Sequence, residues 1–188
     1  MNDKVRRRGT TTGRRTHPAQ AGLQAGPWEE EDKRRPGIYA LLFVLSRETT
    51  VTVGRLGRLA FPVGCYIYIG SAMAGIGNRI RHHLSPHPRP RWHLDYLLPR
   101  GKPAAIIAGH TSRPLECQLA ISLGRQFEVF RRFGSSDCRC RGHLFHSEEM
   151  PPLVSAVRET IQELGCDPLV LSISPRLDSE REPARPRQ

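Results

Sequence analysis

The chain has 188 residues, 38% of them hydrophobic, and a formal net charge of +11. That length suits one domain with tails, and no apolar run approaches the roughly 18 residues a membrane span requires. Five scattered cysteines argue against a disulfide framework, and Met1 to Gln20 lacks an apolar stretch of signal-peptide type, so a cytoplasmic protein is expected.

The charge is unevenly placed. Residues 36 to 147 hold 15 Lys+Arg against 5 Asp+Glu, whereas residues 148 to 188 hold 5 against 8. A compact basic domain attracts a polyanion, and nucleic acid is the commonest one. A coding bias toward Arg accounts for the scarcity of Lys but not for the scarcity of acids.

Residues 1 to 35 are polar and rich in Arg, Thr, Gly and Pro. They bury too little apolar area to offset ordering entropy, so a disordered tail is predicted, with a second at 174 to 188. Gly37 to Leu45 is apolar on both faces, as a central strand would be. Thr50 to Val53 reads as a short strand and Gly54 to Gly64 as a Gly-punctuated turn region. Cys65 to Ile69 is β-branched and aromatic, hence a strand. Gly75 and Gly77 precede a helix from about Asn78 to Leu84. Trp92 to Leu98 reads as a short helix ended by Pro99, and Pro103 to Ala108 as a strand. Leu115 to Leu123 has leucines in a stripe and stops at Gly124, which predicts a helix. Leu153 to Leu164 reads as an amphipathic helix beyond the domain, in a C-terminal extension over residues 148 to 173. The alternation of strands and helices places the chain in the α/β (α+β) class.

Two tripeptide-like runs stand out: Gly37-Ile38-Tyr39 and Tyr68-Ile69-Gly70, the latter continued by Ser71-Ala72. Arg79 to His83, Trp92 to Leu97 and Phe133 to Cys140 follow in order. Together these segments resemble the GIY-YIG nuclease superfamily, and more specifically a poorly characterised prokaryotic branch of it. The resemblance implies a small domain over residues 36 to 147, with a central, mostly antiparallel sheet flanked by helices. It also implies a metal-dependent endonuclease that hydrolyses DNA phosphodiester bonds, as in DNA repair, with RNA an alternative substrate; the lack of a long apolar run leaves no membrane partner expected.

Phosphodiester hydrolysis needs a base for water, a cation against crowded negative charge, and stabilisation of the departing oxygen. The resemblance assigns the base to Tyr39, whose phenol has an ordinary pKa of about 10 and would need nearby positive charge to act near neutrality. Arg79, His82 and His83 fall at i, i+3 and i+4 on one helical face, with Arg79 suited to bracing phosphate oxygens. The resemblance favours His83 over His82 as the active-site histidine, with Tyr68 holding the water or sharing its proton. It makes Glu116 the ligand for a single Mg²⁺ or Mn²⁺, with Asp95 the rival. Ser71, Arg81, His82, His93, Asp95, Ser136 and Asp137 are further candidates to line the site or touch nucleic acid.

Each candidate also has a structural reading: Tyr39 as a core tyrosine, Arg79 as a solvated helix charge, Glu116 as an acid in a first helical turn. Cys65, Cys117 and Cys166 read as small buried residues. Cys138, Cys140, His143 and His146 invite zinc, but the C-x-C spacing is tighter than usual and all four would have to converge from one short loop. Zinc is therefore not expected, and a Ser- and Asp-rich loop beside the active site is.

Tyr39 and Tyr68 are 29 positions apart, much further than the matching tyrosines of most GIY-YIG domains, so residues from about Arg47 to Gly64 are expected to form an added hairpin. A late asparagine common in the superfamily has no equivalent, Asn2 and Asn78 being the only two. Its role falls to Ser135, Ser136 or Asp137, or to none. The competing function is a nucleic-acid-binding module that kept this scaffold without its chemistry.

Overall fold

The computed structural model describes residues 30–86 and 89–173. The tails expected to be disordered lie outside the described residues, apart from the last few of the N-terminal one. There, Glu30–Arg34 forms a short helix, α1. Its backbone runs against Gly75 and Gly77, where an added Cβ would stand 3.1 Å from the Arg34 carbonyl and 2.5 Å from Lys33 Cβ. The two glycines let the chain pass close enough for the Ile76 amide to donate to the Arg35 carbonyl at 3.1 Å. Residues 30 to 35 are thus structured, because the helix start beneath them presents no side chain.

The sheet is built on β1 (Gly37–Leu45), whose residues are almost all buried. It pairs with β4 (Gly64–Ala72) on one side and β5 (Lys102–His110) on the other. β6 (Glu128–Val129) and β7 (Leu144–Ser147) extend the β4 side, and β8 (Pro168–Ser172) extends the β5 side. The order is β6-β7-β4-β1-β5-β8, and each of these pairs is antiparallel. The predicted antiparallel α+β architecture is the one found. β2 (Thr49–Thr52) and β3 (Arg58–Phe61) form a separate two-stranded sheet, the hairpin expected from the long spacing between the tyrosines.

Alternation along the strands divides the core in two. Ile38, Ala40 and Leu42 face one side, where they pack with α4 (Glu116–Leu123) and α5 (Met150–Glu163). Tyr39, Leu41 and Phe43 face the other, against α2 (Ile76–Leu84), α3 (His93–Leu97) and the hairpin. Leu153, Val157 and Ile161 of α5 are fully buried, and β8 completes an edge of the sheet. The C-terminal helix and extension are therefore part of the same core rather than an appendage to it. A Pro-bearing first turn starts α5 at Met150, earlier than the periodicity suggested.

Candidate active site

β1 and β4 run antiparallel with Tyr39 opposite Gly70. A Cβ at Gly70 would lie 2.5 Å from the Tyr39 hydroxyl, so the missing side chain leaves room for the ring. The Tyr39 side chain then crosses toward α2, and its hydroxyl lies 2.8 Å from His83 Nε2. His83 Nδ1 lies 3.0 Å from Asp95 Oδ1. The carboxylate is an acceptor only, so the facing Nδ1 carries the proton and Nε2 is left to accept from Tyr39. Tyr39, His83 and Asp95 thus form a buried chain of hydrogen bonds from sheet to helix to helix.

Asp95 is fixed from several sides. Its Oδ2 accepts from the backbone amides of Arg91 at 2.8 Å and Trp92 at 3.0 Å, closing the first turn of α3, and lies 3.1 Å from His82 Nε2. Burial alone would raise its pKa, but these hydrogen bonds and the one from His83 hold the carboxyl well below the usual range. An oxygen pair so engaged positions histidines; it is not disposed as the alternative metal ligand. His83 is pushed below its ordinary value by burial, with Asp95 opposing and Arg79 and His82 assisting. The ring is therefore neutral at neutral pH.

Burial dominates at Tyr39 as well. It raises the phenol well above 10, with Tyr68, Asp95 and Glu116 adding to the shift and Arg79 opposing it. The expectation that neighbouring positive charge would depress Tyr39 is not met, because the desolvation of a fully enclosed phenol outweighs one guanidinium. Tyr68 is raised likewise, by burial first. What Tyr39 has in place of a low pKa is a neutral imidazole nitrogen to take its proton.

Beside this chain lies a pocket of about 340 Å³ whose lining includes Tyr39, Tyr68, Ser71, Arg79, His93, Glu116, Ser136 and Asp137. Four residues remote in sequence, Tyr39, Tyr68, Arg79 and Glu116, are thus brought to one cavity. Glu116 reaches it from the start of α4, although the rest of that helix packs on the opposite face of the sheet. Glu116 Oε2 is buried and has no hydrogen-bond partner. An unpartnered buried carboxylate oxygen on a residue of the cavity wall is a hard donor that could hold a cation.

Other candidates sit differently. His93 Nδ1 accepts from the Gly134 amide at 2.9 Å and so fastens the later loop beside the cavity. Arg81 is exposed, donates to Asn78 Oδ1 at 3.1 Å and does not line the cavity. His82 also lies off the cavity wall, packed edge-on to Trp92 with ring centroids 4.4 Å apart. Arg91 and Trp92 belong to the wall too, although the sequence marks Trp92 only as part of the Trp92-to-Leu97 segment and neither as a site residue. Arg79 and Arg91 place their guanidinium carbons 4.1 and 4.8 Å from the Trp92 ring centre, which sets two cations at the mouth on one aromatic support. Their spacing in sequence gives no hint of this pairing, since it depends on α2 and α3 meeting.

A second cluster adjoins the cavity. Cys117, Cys138, Cys140 and His143 each present a ligand atom within 4.8 Å of the others and could hold a metal ion. Cys117 is thus not simply a small buried residue. One of the four, Cys117 of α4, comes from outside the short loop expected to supply every ligand, whereas Cys138, Cys140 and His143 come from that loop. His146 is not among them. Its ring, on β7, lies 3.2 Å from the Val63 carbonyl and 3.5 Å from Glu128 of β6.

No curated protein matches the chain, and no solved structure does. A family model, Domain of unknown function DUF123, matches residues 38–166, a span that begins in β1 and runs past α5, and the chain belongs to that family.

Proposed function

We propose that the chain is a divalent-metal-dependent endonuclease related to the GIY-YIG superfamily, acting on DNA. The observation that carries this reading is the Tyr39–His83–Asp95 chain beside a cavity whose wall also includes Arg79 and Glu116, with its unpartnered carboxylate oxygen. Tyr39 would accept a proton from the attacking water while passing its own phenolic proton to His83 Nε2. The imidazolium so formed is stabilised by Asp95, which keeps its charge throughout, as in triads where a carboxylate orients a histidine base. Water oxygen bonds to phosphorus as the bond to the 3′ oxygen breaks, and that oxygen takes a proton from solvent. Arg79 and Arg91 would hold phosphate oxygens. Glu116 would hold a divalent cation, which would supply neutralising charge to the phosphate.

The upward shift of both tyrosines favours a second reading, a binding module whose basic surface grips nucleic acid without cutting it. A panel of supercoiled, flapped, branched and abasic DNA, incubated with Mg²⁺, Mn²⁺ or EDTA, separates the two. The nuclease reading predicts cleavage in at least one metal arm and none in EDTA. Salt-sensitive retention of every substrate with no cleavage in any arm supports the binding module and removes the enzyme.

A further inference from the structure

The four residues Cys117, Cys138, Cys140 and His143 have the composition and convergence of a closed metal site. Three sulfurs and one imidazole are soft to borderline ligands, which select zinc over the Mg²⁺ suited to a carboxylate. The one distance that tests the geometry fits. Cys138 Sγ lies 3.5 Å from His143 Nε2, and a tetrahedral zinc with ordinary bond lengths separates a sulfur and a nitrogen ligand by about 3.6 Å.

Two of the four ligands stand on elements that are fixed without a metal. Cys117 is in the first turn of α4, which is anchored by fully buried Leu119 and Leu123. His143 has its amide on the Phe133 carbonyl at 2.7 Å and its carbonyl on the Ile69 amide at 2.9 Å. Cys138 and Cys140 lie between them in a stretch of turns and bends without helix or strand. A metal joining all four would fasten that stretch to both α4 and the sheet. Its immediate neighbours are Glu116, next to Cys117, and Asp137, next to Cys138, and both line the cavity described above.

We propose that Cys117, Cys138, Cys140 and His143 bind one structural zinc ion, which pins the Ser135-to-Arg141 loop to the start of α4 and so sets the cavity wall formed by Glu116 and Asp137. The site has four protein ligands and no open position, so the ion holds structure and takes no part in bond breaking. The proposal is independent of the nuclease reading, because the metal content of the protein does not depend on what it cuts.

The test uses the full chain, produced without a metal-binding tag and purified without added zinc. Elemental analysis is expected to find one zinc per chain, retained through dialysis against EDTA and released by a mercurial that titrates thiolates. Exchange with Co²⁺ is expected to give the sulfur-to-cobalt charge-transfer band and intense visible bands of a tetrahedral thiolate site. His143→Cys keeps four ligands, so it should fold, bind cobalt and shift those bands toward a four-thiolate pattern. Cys65→Ser and Cys166→Ser, neither of them in the cluster, should leave zinc content unchanged. A folded protein without zinc, a disulfide between two of the three cysteines, weak octahedral cobalt bands, or a His143→Cys spectrum identical to the parent would each overturn the proposal.

Discussion

The Tyr39 hydroxyl donates to His83 Nε2 across 2.8 Å, and both side chains are almost wholly buried. That bond converts a phenol that burial makes a poor acid into one with a waiting proton acceptor. The chemistry proposed for the cavity depends on it.

The pH dependence follows from His83. Its neutral form is the competent one, and burial has already drawn its pKa below 6.5. Cleavage should hold steady across neutrality and fall as pH drops through the lowered value, giving an acid limb below pH 6.5. Asp95 raises the His83 value, so Asp95→Asn should move the limb further down while lowering the plateau rate. A limb that moves upward in Asp95→Asn, or one already present above pH 7, contradicts the relay. The same shift makes the folded ring a weaker proton binder than the unfolded one. Its contribution to stability is therefore complete above about pH 6.5 and lost as pH falls through the folded value.

Asp95→Ala should destabilise the fold. It strands His83 Nδ1 and the Arg91 and Trp92 amides together, at a site whose side chain is 1% exposed. Removing one partner of such a buried charged network costs about 3 kcal/mol. Urea denaturation followed by circular dichroism reads this directly; a loss below about 1 kcal/mol would mean the network is easily re-solvated.

Gly70→Ala introduces a methyl group 2.5 Å from the Tyr39 hydroxyl. Overpacking of this kind costs roughly 2 kcal/mol, and it displaces the one atom proposed to meet the water. We expect a folded protein with a lowered melting temperature and a cleavage rate reduced far more than DNA affinity. Full activity would show that the hydroxyl's position is not critical.

Arg91→Ala and Arg81→Ala discriminate cavity cations from surface ones. Arg91 shares the Trp92 support with Arg79 at the cavity mouth, whereas Arg81 is turned outward onto Asn78. Loss of one phosphate contact should lower the slope of log affinity against log salt by about 0.9 for duplex DNA. That change is expected in Arg91→Ala and not in Arg81→Ala, measured by fluorescence anisotropy. Equal slopes in the two variants would make the Trp92 pair irrelevant to binding.

Much of this arrangement was readable from the chain. The doubly apolar run at Gly37 to Leu45 located the central strand, and the helical spacing of Arg79, His82 and His83 put them on one face, which the structure packs around Trp92. β6, β7 and β8 were not legible, because a two-residue strand such as Glu128–Val129 carries no periodicity and Pro168 opens β8 with a residue that reads as a breaker. The partner of Asp95 was not legible either. Its distance from His83 depends on how α3 docks against α2, which no local pattern encodes. Cys117 was misread for the same reason: a C-x-C pair announces itself, but a third cysteine on another element does not.

Single-turnover cleavage of DNA in Mg²⁺ by the parent protein, Tyr39→Phe and Glu116→Ala, with affinity measured on the same preparations, tests the central claim most directly. The account predicts cutting by the parent, a rate lowered about a thousandfold in Tyr39→Phe, no detectable cutting by Glu116→Ala, and near-parental binding by both. Parental rates in both variants would contradict it.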